Sequence, residues 1–177
     1  MSTRFYAGIG SRETPEEILI EMTKLGRIFE TCGLTLRSGN AEGADQAFAS
    51  GVESNAQIWL PWDHFQKDFR KMKPRHDYKV ISSHDKEAFQ SVIEFHPNAN
   101  NLSEFGCLFM ARNYRQVIGL GEPNSEFIVA WTEGGLVRGG TGQALRIAKK
   151  YNIDIINMYK YETANEVLIK LNELKHI

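Results

Sequence analysis

The sequence predicts a Rossmann-like α/β fold, doubly wound, with a mainly parallel sheet and helices on both faces. Two observations carry that prediction. Short apolar runs alternate with stretches of helical periodicity along the chain, the pattern of strands joined by crossover helices. Three of those runs stop in glycine-bearing loops directly before a helix. The chain of 177 residues, 42% hydrophobic and 24% charged, suits one compact domain over 1–177.

Phe5 to Ile9 is the first strand and ends in Gly10-Ser11-Arg12. Thr14 as cap and Pro15 at the first helical position predict a helix start. Ile18, Met22, Leu25, Ile28 and Phe29 then recur at helical spacing up to Gly33, a helix stop. Leu34 to Leu36 is a second strand, entering the loop Ser38 to Asp45; a helix runs from about Ala44 to Glu53, and Gln57 to Leu60 is a third strand. From 61 to 83 the pattern lapses, aromatics being interleaved with charges, and the segment reads as a lid or a solvated excursion.

His84 to Phe95 reads as a helix broken at His96-Pro97-Asn98. Ser103 caps a longer one to Leu120, with Phe105, Leu108, Phe109, Val117 and Ile118 toward the core. Glu126 to Trp131 is a fourth, buried strand. It leads through Gly134, Gly135, Gly139, Gly140, Thr141 and Gly142 into a helix marked by Ala144, Leu145, Ile147 and Ala148. Ile153 to Met158 is a fifth strand, and an amphipathic helix over 162–174 closes the chain.

In an open parallel sheet, ligands bind beyond the carboxyl ends of the strands, where strand order reverses. The three glycine loops should therefore converge. Glycines let backbone amides approach a ligand, and a helix directs its unpaired N–H groups and positive dipole end at an anion. Gly10, Ser11, Arg12, Ser38, Gly39, Thr141 and the amides of Gly139, Gly140 and Gly142 suit phosphate. Asn40, Glu42, Asp45 and Glu133 suit ribose hydroxyls or a base. The structural alternative pairs Arg12 with a carboxylate and bonds Asp45 to its own loop.

The remaining signals bound the function. A formal net charge of -1 argues against a surface that grips nucleic acid throughout, and leaves room for a local basic groove. Cys32 and Cys107 stand apart without metal-ligand spacing and read as reduced packing residues. His64, His76 and His84 lack the same-face spacing of a ligand motif, so no metal is expected. No apolar leader opens the chain and no run is long enough to span a membrane, so a cytoplasmic protein is expected.

Gly10-Ser11-Arg12, then Ser38 to Asp45, then Arg112-Asn113-Tyr114-Arg115 with Ile118-Gly119-Leu120, then Gly139-Gly140-Thr141-Gly142 with Ala144 and Ala148, follow one another in this order. That order resembles the core domain of the DNA-processing protein A (DprA/Smf) family. More broadly it is similar to the SLOG superfamily, which includes the LOG-type nucleotide phosphoribohydrolases. The match runs from about Phe5 to Met158 and leaves out 61–83 and the last helix. The resemblance implies a site for a phosphorylated, nucleotide-derived ligand. It also places Arg112 beside the glycine loops, where the structural alternative is a salt bridge anchoring its helix, and implies a homo-oligomer because such families often pair.

Three functions follow. The first is a binding protein, sensing or sequestering a nucleotide, a cyclic nucleotide or an ADP-ribose- or NAD-derived signal, with no cofactor. The second is an N-glycosidic hydrolase or ribosyltransferase, which needs a carboxylate near the anomeric carbon. The LOG pattern carries a glutamate just after its glycine motif, whereas here Gln143, Ala144, Leu145 and Arg146 follow, leaving Glu133, Asp45 or Glu42 as substitutes. The third is single-stranded DNA binding, for which Phe65, Phe69 and Tyr78 among the lysines of 61–83 are the stacking candidates.

Overall fold

A computed structural model describes residues 3–177. Met1 and Ser2, the start of the stretch read for a leader, lie outside them. Six strands form one parallel sheet: β1 Arg4–Gly10, β2 Leu34–Ser38, β3 Ala56–Leu60, β4 Asp77–Val80, β5 Ser125–Trp131 and β6 Asp154–Asn157. The helices are α1 Glu16–Thr31, α2 Ala44–Gly51, α3 Lys67–Met72, α4 Lys86–Phe95, α5 Glu104–Val117, α6 Gly139–Lys150 and α7 Ala164–Glu173. Strand order is β4-β3-β2-β1-β5-β6, every pair parallel. The fold is thus a Rossmann-like α/β arrangement whose order reverses between β1 and β5.

The central strands are buried on both faces, as parallel strands under helices must be. Side-chain alternation assigns each face its core. Tyr6, Leu36, Phe127 and Val129 join Met22, Leu25, Phe29 and Phe48 under α1, α2 and α7. Ala7, Ile9, Ile128 and Ala130 join Met110, Tyr114, Leu145 and Ile147 under α4, α5 and α6.

Helices α1 and α2 touch through glycine. A Cβ on Gly51 would lie 2.0 Å from the Thr23 carbonyl oxygen, and Thr23 Oγ1 donates to the Ala47 carbonyl at 2.9 Å. Gly51→Ala must push two backbones apart, and it is expected to destabilise the fold by roughly 1–3 kcal/mol, read as a lower denaturation midpoint.

Three local expectations are corrected. Thr14 does not cap α1: its hydroxyl donates to the Ser11 carbonyl at 2.7 Å, and Pro15 itself stands at the cap with extended ψ. Phe105 is 63% exposed, because the first turn of α5 precedes the buried run that starts at Met110. The 61–83 segment is not without regular structure, for it carries α3 and the edge strand β4, paired to β3 from Gln57↔Asp77 to Leu60↔Val80.

Most cations of that segment have structural partners. Lys73 Nζ donates to the Ser50 and Val52 carbonyls at 2.8 and 3.0 Å, closing the end of α2. Arg75 pairs with Glu53, Lys71 with Asp68, and Arg70 stacks over Tyr78.

Buried His76 places Nε2 3.0 Å from the Val52 carbonyl, and burial pushes its pKa down. Glu30, Glu53 and Lys73 are the charged groups around it. Because the folded state binds the proton less readily than the unfolded chain, the contribution of His76 is present above about pH 6.5 and is lost as pH falls below it. Denaturant melts from pH 7.5 to 5 are expected to lose stability in the wild type and to show a shallower slope in His76→Gln; equal slopes would remove His76 as the cause.

Candidate functional site

The carboxyl ends of β1, β2 and β5 meet where strand order reverses, the place such sheets reserve for ligands. Their loops touch directly. The Ser11 amide donates to the Trp131 carbonyl at 3.1 Å, and a Cβ on Gly10 would fall 2.6 Å from that of Ala44. Gly43, with φ 83°, packs its α-carbon against the Ser11–Arg12 backbone and hands the chain to α2.

The floor is a polar cluster on α2 and α5. Asp45 and Arg112 are 4% exposed each, and Arg112 Nη1 donates to Asp45 Oδ2 at 3.2 Å. Asp45 also accepts from the Ala41 amide at 3.3 Å and from the Gly10 amide. Burial pushes the Asp45 carboxyl up and the Arg112 guanidinium down, and their attraction offsets part of both shifts.

With its amide oriented to satisfy its neighbours, Gln116 accepts from the Gly39 amide at 2.9 Å and from Arg112 Nη1 at 2.8 Å, and donates to Asn113 Oδ1 at 3.0 Å. Asn113 Nδ2 donates to the Gly140 carbonyl at 2.9 Å. One turn of α5 therefore ties the second glycine loop to the third. Gly39 is glycine because Arg112 needs the space: a Cβ there would sit 1.2 Å from Nη1.

Above this floor opens a cleft of about 550 Å³, within the size of small-molecule sites. Its lining includes Gly10, Ser11, Arg12, Asp45, Phe109, Met110, Arg112, Asn113, Gln116, Glu133, Arg138, Gly139, Gly140 and Thr141. On one side is the start of α6. The Gly142 amide is the first to reach back, to the Arg138 carbonyl at 2.9 Å, so the amides before it have no acceptor within the helix. That first turn contains no acidic side chain.

On the other side Arg12 is exposed, rests over the Phe109 ring at 6.0 Å, and makes no ion pair among the described residues. Arg112 lies over the same ring at 5.6 Å and leaves its buried Nε without a partner.

The cleft brings together Gly10, Ser11, Arg12, Asp45, Arg112, Glu133, Gly139, Gly140 and Thr141, and leaves out the other expected residues. Ser38 Oγ donates to the Gly8 carbonyl at 2.6 Å and is fully buried in the sheet. Gly39 makes room for Arg112. Asn40, in the left-handed region at φ 62°, donates from Nδ2 to the Phe65 and Gln66 carbonyls and so fastens the chain before α3. Glu42 is exposed and accepts from Gln66 Nε2. Gly142 is buried against the Val137 backbone.

Gln143 and Arg146, standing where the LOG pattern places its glutamate, tie α6 to α4 instead. They donate to the Ser91 and Phe95 carbonyls, and neither lines the cleft. Sequence reasoning passed over Asn113, Gln116, Arg138 and Phe109. For Arg138 the signal was its place directly before Gly139-Gly140; for Asn113 it was adjacency to Arg112.

Among the described residues no helix is long and apolar enough to cross a membrane, and no group of three or more His, Cys, Asp or Glu could hold a metal ion.

No protein-family model matches the chain, and no curated protein matches it in sequence. Its fold is similar to the solved structure of DNA processing protein A from Helicobacter pylori, with a TM-score of 0.62 and 15% identity over 88% of this chain. The chain spans 65% of the length of that structure. The work on that neighbour describes a single-stranded DNA binding mode. At this identity the likeness establishes a DprA-like fold.

Proposed function

We propose that the cleft binds the phosphorylated end of a nucleotide-derived small molecule, and that the protein senses or sequesters that ligand without cleaving it. One observation carries the reading. Arg12, with no carboxylate partner among the described residues, shares a cleft with the open amides at the start of α6. A phosphate between them is held by a cation on one side and by N–H groups and the helix dipole on the other. The remaining volume admits a nucleoside.

Hydrolysis is less well supported, because two of the three carboxylates that line the cleft are engaged, Glu13 alone having no side-chain partner among the described residues. Asp45 is buried against Arg112, and Glu133 pairs with Arg138. Glu42 lies outside.

A second reading, single-stranded DNA, has its own support. Trp62, Phe65, Phe105 and Phe109 form a cluster of edge-on rings with centroids 5.2–5.4 Å apart, and Phe105 presents an exposed face. Such a surface suits base stacking, and the H. pylori neighbour is described as a single-stranded DNA binder. Of these rings Phe105 is the exposed one and the stacking candidate this reading would use, whereas Phe65 is buried in the core.

Calorimetry with AMP, cyclic AMP, ADP-ribose and adenosine, beside gel shifts with oligo-dT at low and moderate salt, separates the two. Phosphate-dependent uptake of a small nucleotide, recovered intact, is the expected result. Retention of oligo-dT at both salts, without uptake of any mononucleotide, would favour the DNA reading.

A further inference from the structure

This inference rests on the reading that the cleft receives a phosphate. Glu133 and Arg138 both line it and are joined by an ion pair. Their side chains are 72% and 54% exposed, so packing fixes neither. The short stretch joining them turns on glycines in the left-handed region, Gly134 at φ 66° and Gly135 at φ 68°, with Gly139 at φ 63° just beyond. Glycine adopts that region at little cost.

Arg138 stands at the N-cap of α6. A cation there opposes the helix dipole and does nothing for the stability of the helix. Its position becomes favourable once an anion sits on the same amides.

We propose that Arg138 is a ligand contact held in reserve by Glu133. A phosphate arriving at the start of α6 competes with the Glu133 carboxylate for the Arg138 guanidinium, and Arg138 transfers from one to the other. Glu133 is then a competitor that sets a threshold of charge, not a catalytic carboxylate. A terminal phosphomonoester, close to dianionic at neutral pH, displaces it more readily than a singly charged phosphodiester. The repulsive partner thereby supplies the discrimination. The ligand class is a nucleoside 5′-phosphate with a free terminal phosphate.

Calorimetry with AMP and cyclic AMP on the wild type, Glu133→Gln, Arg138→Gln and the double variant tests this. Arg138→Gln is expected to weaken AMP binding about tenfold, the scale of one charge-assisted contact. Glu133→Gln should tighten both ligands and narrow the preference for AMP, and its gain should shrink when Arg138 is absent. If the pair merely braces the loop, both single variants weaken binding, and the proposal is overturned. A gain in Glu133→Gln that persists undiminished in the double variant also overturns it. A wild type that takes up neither nucleotide defeats the phosphate-site reading instead, an outcome visible before any variant is made.

Discussion

Replacing Arg112 with leucine is expected to lower the free energy of unfolding by about 3–5 kcal/mol, because it leaves the Asp45 carboxylate buried and unpaired. Both side chains are 5% exposed, so water cannot take over the role of the guanidinium. Asp45 keeps the Ala41 and Gly10 amides but loses the cation it pairs with. The double change Asp45→Asn with Arg112→Leu removes the charge along with its partner, and it should recover much of the loss.

The variant also carries a pH signature. Asp45 is already pushed up by burial, and losing Arg112 raises it further. The folded variant then holds a proton that the unfolded chain releases above about pH 4, so its deficit should narrow as pH is lowered through the folded-state value. A deficit independent of pH would mean that packing, not charge, is what Arg112 supplies.

Arg12→Ala should show the opposite division of effects. Arg12 is exposed, contacts the Phe109 ring only at 6.0 Å, and has no ion pair among the described residues, so unfolding should change by no more than about 0.5 kcal/mol. Affinity for a 5′-mononucleotide should fall by about tenfold or more, since a hydrogen bond to a charged group is worth roughly 1.5–3 kcal/mol. Adenosine, lacking the phosphate, should bind both proteins alike. An Arg12→Ala protein that unfolds more easily and still binds AMP normally would assign Arg12 to the scaffold.

These two arginines mark how far the sequence could be read. The alternation of strands and helices was legible, and so was the convergence of three glycine loops, because periodicity and glycine placement follow from backbone geometry. What each loop residue does there was not. Ser38, Asn40 and Glu42 have the chemistry of a binding loop, yet their side chains serve the Gly8 carbonyl, the 65–66 backbone and Gln66. A short polar side chain satisfies either role, and only the fold decides which donor or acceptor is nearer.

Gly39 taught the converse. Its need for glycine comes from Arg112, far away in sequence, and not from a ligand. Strand β4 was illegible for a related reason. Asp77-Tyr78-Lys79-Val80 lies at the edge of the sheet, half-solvated, so it carries no apolar run and takes its conformation from pairing with β3.

The central claim is that a phosphate sits between Arg12 and the first turn of α6. A crystal structure of the protein grown with AMP tests it most directly. The account predicts phosphate oxygens within hydrogen-bonding distance of the Gly140 and Thr141 amides and of the Arg12 guanidinium, with the nucleoside in the remaining cleft. A nucleotide bound with its phosphate turned to solvent, or held at another surface while this cleft contains only water, would contradict it.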